Sequence, residues 1–174
     1  MKTTAQWLDQ VLADRSQLTH WLQRQYIGEV TAANRIRDLA HAAPEYKYKQ
    51  ILLKIASDEL SHAMWVLDLL EARNIPTPNI ASEADRYWKP VLAEADSFDK
   101  TAAAGFHAEG MRLVRIRALA ADERVDQDIR DVFTRILPDE EYHEKAFGAI
   151  ASEHAKTHMA NKHQEGLERL GLEI

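Results

Sequence analysis

The sequence predicts an all-α fold: a four-helix bundle with one long crossover connection and an extra C-terminal helix. Three observations predict it. Glycine and proline are scarce, 6 and 5 in 174 residues, so long stretches lack the residues that end helices. Over those stretches apolar residues recur at steps of three and four, the spacing of one helix face. A single long interruption, residues 74–97, falls near the middle of the chain, and a connection of that length suits a crossover better than a tight turn between neighbours. Nothing reads as a β-hairpin or a βαβ unit.

The first helical stretch runs from Thr4 to Ala42, with a candidate break at Asp14, and ends before Pro44, which disfavours helix in the residue preceding it. The second runs from Glu45 to Arg73 and is stopped by Asn74-Ile75-Pro76-Thr77-Pro78. Within the connection, Ser82 to Ala95 reads as a short helix. The third helix spans Phe98 to Ala121, and the fourth starts near Val125 and passes Ile150. Residues 153–174 are polar and close on Leu167, Leu170, Leu172 and Ile174, which reads as a C-terminal helix. The length fits one domain, with the bundle core over about residues 18–152.

The apolar fraction is 45%, the charged fraction 29% and the net charge −6. These values predict an ordinary soluble domain without a basic surface for nucleic acid or anionic lipid. The absence of cysteine excludes disulfides, thiolate metal sites, thiol nucleophiles and iron–sulfur clusters. The N-terminal MKTTAQWLDQ lacks the apolar core of a signal peptide, and no apolar run approaches the ~18 residues of a membrane span. The expectation is a cytoplasmic protein with neither membrane nor nucleic-acid partners.

The chemistry lies in the apolar stripes. The second helix presents Ile51, Ile55, Glu59, His62, Val66 and Leu69, and the fourth presents Val132, Ile136, Glu140, His143, Phe147 and Ile150, with identical steps. Each thus carries a carboxylate and an imidazole in the middle of a core-facing stripe. The first helix presents Leu22, Tyr26, Glu29, Ala33, Ile36 and Ala40. The third answers with Ala102, Phe106, Glu109, Leu113, Ile116 and Ala120, again in matching steps. Glu29 and Glu109 differ by 80 positions, and Glu59 and Glu140 by 81, so the halves form a degenerate repeat. Two helix pairs related by an approximate two-fold would bring all six polar groups to the bundle centre.

One Glu-x-x-His on a helix is weak evidence, since such a glutamate can reach solvent and such a histidine can be a satisfied core residue. Two in phase, with two further stripe glutamates, are stronger. Four buried carboxylates would each carry a desolvation penalty besides mutual repulsion. Two divalent cations would compensate them, and residues three apart on a helix can reach one ion. Asp58 and Asp139 each precede the glutamate of a Glu-x-x-His. A ligating histidine commonly donates its other N–H to a carboxylate, which pairs Asp58 with His143 and Asp139 with His62.

Other residues receive plainer readings. Tyr26 and Phe106 are core aromatics one turn from a glutamate. Arg112, one turn after Glu109, reads either as an ion-pair partner of the cluster or as a solvated arginine. The run containing Arg112, Arg115, Arg117 and Arg124 reads as the wet face of the third helix. His107 is off the stripe and not a ligand, and His154 and His158, with His163 nearby, read as a solvated face. Pro138 lies inside the fourth helix pattern, which favours one continuous, kinked helix over a new start.

With its E…DExxH…E…DExxH pattern over residues 18–152, the sequence resembles the ferritin-like di-iron carboxylate superfamily. Members include rubrerythrins, bacterioferritins, the ribonucleotide reductase small subunit and bacterial multicomponent monooxygenases. The resemblance implies a ferritin-like bundle in which Glu59 and Glu140 bridge two metals. Glu29 and Glu109 would be terminal ligands, and His62 and His143 would each bind one ion. Iron is the default, with manganese or a mixed Mn/Fe pair also fitting. Rubrerythrins carry a second glutamate three residues after the third-helix ligand, where this chain has Arg112, and a cysteine-bearing rubredoxin module. Both departures point away from a standard rubrerythrin. Bacterioferritins carry a haem-binding methionine where this chain has Leu60, so no haem is expected.

The DExxH form of both motifs is similar to the oxygenase and reductase branches. The resemblance therefore implies an oxidoreductase of monooxygenase type that activates O2 to oxidise a small organic substrate, with electrons from an external reductase or the substrate itself. A small homo-oligomer, a dimer, goes with it. The alternative is a ferroxidase serving iron storage or detoxification, and behind both stands a metal-free structural bundle.

Overall fold

The computed structural model describes residues 1–79 and 87–173. Among them are seven helices: α1 (Thr4–Ala13), α2 (Arg15–Ala42), α3 (Tyr46–Ala72), α4 (Trp88–Glu94), α5 (Phe98–Ala121), α6 (Gln127–Ile150) and α7 (Glu153–Leu170). The break expected near Asp14 is real and has a local cause. Asp14 is extended and its carboxylate accepts from Ser16 N at 2.8 Å, capping α2. Thr3 and Gln6 form a capping box that starts α1. At the end of α3, Asn74 takes the left-handed conformation (φ 54°) and Ile75 N donates back to Leu70 O at 2.8 Å, a turn that closes the helix end. Of the short helix expected over Ser82–Ala95, the described part is α4; residues 82–86 lie outside the described residues.

α2 and α3 pair as one hairpin and α5 and α6 as another, and the hairpins pack through α3 on α6 and α2 on α5. The core has two apolar clusters. One gathers Ile36, Leu39, Leu52, Ile55, Phe147 and Ile150, and the other Leu18, Leu22, Val66, Leu70, Ile129 and Phe133. These are opposite ends of the same four helices. α3 therefore finishes in the second cluster, and α5 starts in the first. The intervening connection must travel the length of the bundle, which makes it the crossover of a ferritin-like arrangement. α7 packs on α5, α4 on α7, and α1 on α2 and α5.

α6 runs unbroken through Pro138, so proline removes one ladder hydrogen bond without ending the helix. Gly166 of α7 sits where a Cβ would lie 2.6 Å from the Tyr87 ring, so only glycine permits this approach. α7 ends on Gly171 at φ 70°, and Leu172 N reaches back to Leu167 O at 3.0 Å. No helix of the described residues is long and apolar enough to cross a membrane.

Candidate metal centre

Between the two apolar clusters lies a layer of ionisable groups. Glu29, Glu59, His62, Glu140 and His143 are fully buried and Glu109 is 4% exposed; these are all the buried polar or charged side chains found among the described residues. Each comes from the stripe position described above, Glu29 from α2, Glu59 and His62 from α3, Glu109 from α5, Glu140 and His143 from α6. They assemble into two sets that share Glu59 and Glu140. Glu29 and His62 complete one, Glu109 and His143 the other, and within each set one ligand atom per residue lies within 4.8 Å of all the others. The imidazole rings stand 5.7 Å apart.

The histidines face two ways. His62 Nδ1 looks inward, 3.4 Å from Glu140 and 3.8 Å from Glu29, while its Nε2 lies 3.3 Å from Asp139. His143 repeats this arrangement, Nδ1 at 3.2 Å from Glu59 and Nε2 at 3.3 Å from Asp58. Each aspartate thus reaches the histidine of the other hairpin. An Nε2–H donating outward leaves the Nδ1 lone pair for whatever sits between the glutamates.

Arg112 is the residue whose place the sequence left open. Its Nη2 lies 2.6 Å from Glu29 and 2.9 Å from Glu140, and its Nη1 3.3 Å from Glu59 and 3.8 Å from Glu109. The expectation that Arg112, Arg115, Arg117 and Arg124 share a wet face is corrected. Arg117 and Arg124 are exposed, but Arg115 is half-buried and Arg112 points into the glutamates. A spacing of three from Glu109 puts Arg112 on the same face, and four carboxylates outweigh the pull of solvent.

Burial first, and then the neighbouring carboxylates, push Glu29 and Glu109 well above the usual carboxylate range, while Arg112 pulls the other way. For Glu59, burial also opposes ionisation, but Arg112 and the imidazole of His143 beside it overcome it and hold the group at about 2. Glu140 is likewise held well below its ordinary value against its burial, by Arg112 and both histidines. His143 is raised to about 11 despite burial, by the carboxylates of Glu140 and Glu59 beside it.

This chemistry fits a pair of divalent cations. Glu29 Oε1 and Oε2, Glu59 Oε1, Glu109 Oε2, Glu140 Oε2 and both Nδ1 atoms are buried without a partner in hydrogen-bonding geometry, and such groups are costly unless something ligates them. Two divalent ions would let all four glutamates ionise, and hard oxygen donors with imidazole suit iron or manganese.

A sequence model of the rubrerythrin family matches residues 20–151. The chain belongs to the rubrerythrin family. No curated protein and no solved structure shows significant similarity to it. Membership places the bundle in the ferritin-like di-iron carboxylate superfamily, as the repeated motif implied. The expectation that turned away from a standard rubrerythrin rested on Arg112 and on the missing cysteines, and both remain features of this member of the family.

Tyr26 is half-buried in the second apolar cluster and Phe106 packs at the edge of the first. His154 and His158 are exposed, whereas His163 is half-buried. Its Nδ1 is 2.7 Å from the Tyr87 hydroxyl, and its ring stacks on His107 with centroids 5.0 Å apart. His107 Nε2 donates to Lys156 O at 2.9 Å. Neither ring belongs to the cluster. Beside it lies a cavity of about 590 Å³ between α2, α4 and α5, whose lining includes Glu109 and Arg112 and whose place no single helix pattern marks.

Proposed function

We propose that this protein is an oxidoreductase that uses two iron ions, or a Mn/Fe pair, to activate O2 and oxidise a small organic molecule. The observation that carries the reading is the cavity of about 590 Å³ with Glu109 and Arg112 in its lining, a volume in the range of small-molecule sites. Its walls include Ile36, Leu39, Trp88, Phe98, Met111 and Phe147, which suits an organic guest and does nothing for passage of hydrated iron.

Glu59 and Glu140 would bridge the ions, with Glu29 and His62 on one and Glu109 and His143 on the other. Asp139 and Asp58 hold the imidazoles with Nδ1 inward, so the ligands are set before an ion arrives. Ions held there would supply the redox chemistry for O2 activation, with electrons from an external reductase or from the substrate. The apolar cluster of Leu22, Val66, Ile129 and Phe133 closes one side of the ionisable layer against water, which keeps its electrostatic interactions strong. The side toward Glu109 opens on the cavity.

Anaerobic loading with Fe(II), followed by mixing with O2 under optical and Mössbauer observation, tests the reading. Two iron ions per chain, oxidised without mineral growth in a dimer or similar small oligomer, support it. A hollow many-subunit assembly that fills with ferric mineral would overturn it in favour of storage. A protein that binds no iron or manganese would leave only a structural bundle.

A further inference from the structure

We propose that the cavity takes a small, largely apolar molecule bearing a carboxylate, and that Arg112 holds that carboxylate. The inference deepens the proposed function and rests on it. Among the described residues the ion-pair partners of Arg112 are the four glutamates of the cluster. Those are the side chains that two divalent ions would take, and four ionised carboxylates balance the charge of two such ions. The guanidinium is then left over. It cannot share the same oxygens with the ions without strong repulsion, and at 15% exposure it is too deep to recover full hydration in place. It already lines the cavity, so an anion entering there is its replacement partner.

The rest of the lining agrees. Asp38 and Asp96 line the cavity, but each already faces a cation, Arg37 at 3.3 Å and Lys100 at 2.8 Å. Arg24, also in the lining, has no carboxylate partner among the described residues. Arg115, one turn beyond Arg112, has none either; burial, with Arg112 and Arg24 close by, pushes it down to about 10. Arg24 and Arg115 beside Arg112 favour an anion over a cation at this place. A planar guanidinium binds a carboxylate through two parallel hydrogen bonds, and the apolar walls fit a hydrocarbon body. At Gly28 an added Cβ would meet nothing within 4 Å, so the space beside α2 is open.

The test uses the full chain loaded with Zn(II), which has the charge of Fe(II) and no redox chemistry. Zinc is counted per chain, and octanoate and octanamide are then titrated in calorimetry. Octanoate should bind the loaded wild type about tenfold or more tightly than the amide, the worth of hydrogen bonds to a charged group. Arg112→Gln should bring the two to near parity, Arg112→Lys should keep part of the preference, and the zinc-depleted wild type should show none. Two zinc ions per chain with equal binding of acid and amide would overturn this inference alone. So would an acid preference unchanged in Arg112→Gln, or already present without zinc. Failure to bind two zinc ions would overturn the metal reading and this inference with it. If the glutamine variant does not fold, Arg112→Lys decides: octanoate affinity unchanged from wild type removes Arg112 from the site.

Discussion

Asp58 and Asp139 act on the centre only through the imidazoles they touch, each 3.3 Å from an Nε2. Asp58→Asn and Asp139→Asn keep the shape and lose the charge that fixes the histidine tautomer. Each is expected to weaken metal affinity by about 10- to 100-fold, measured by competition with a chelator, with little change in helix content. These contacts were legible in the sequence because a residue one position off the stripe leans toward the neighbouring hairpin. The place of Arg112 was less so. Its spacing from Glu109 allowed a contact with the cluster, but a periodic pattern cannot say whether a long, flexible side chain turns inward. That depended on four carboxylates contributed by four helices. Gly28 is the opposite case, a residue with nothing around it. Gly28→Ala should stabilise the fold by about 0.5–1 kcal/mol through helix propensity, whereas Gly28→Leu should leave the fold intact and reduce ligand binding by occupying the cavity. Thermal unfolding and ligand titration of the two variants separate these effects.

At the level of elements, the long amphipathic helices were the readable part. α2, α3, α5 and α6 fall within a few residues of the spans expected from their stripes, because most of their caps and stops are local: Asp14, Pro44, Asn74 and Ser97, whose side chain accepts from Lys100 N. α7 is harder to read. Its sequence is polar, yet it docks through a few contacts that composition does not reveal: Gly166 and His163 against Tyr87 at the start of α4, and His163 against His107 of α5. Gly166→Ala should cost about 1–3 kcal/mol, since the Tyr87 ring would have to move. Burial, and then repulsion from His107, lowers His163 to about 4. Between that value and 6.5 the unfolded chain holds a proton that the folded chain does not. The contribution of His163 is therefore complete above about pH 6.5 and is lost as the pH falls toward 4. In His163→Gln the fall in melting temperature between pH 7 and pH 5 should be smaller than in the wild type; an equal fall would show that α7 docking does not depend on this ring.

Across the whole molecule, two apolar clusters enclose a charged layer that they cannot themselves stabilise. Loading the site should therefore raise the melting temperature. A divalent ion at about 100 times its dissociation constant adds about 2.7 kcal/mol, and Glu59→Ala should lose most of that gain because Glu59 belongs to both ligand sets. Scanning calorimetry with and without metal reads both effects. The lining of the cavity is a whole-molecule property and was not legible in the sequence for that reason. Residues from α2, α4, α5, α6 and α7 line it, and no one of their patterns marks an opening.

The halves of the bundle match glutamate for glutamate and histidine for histidine, but three residues after Glu29 stands Ala32, and three after Glu109 stands Arg112. Two identical hairpins joined as separate chains could present two guanidiniums to a shared centre, or none. Only a fused repeat, in which the copies are free to diverge, can present one. Covalent linkage of the two halves thus lets the charged layer break its own symmetry, so that one side of it borders a cavity and another is closed by apolar side chains.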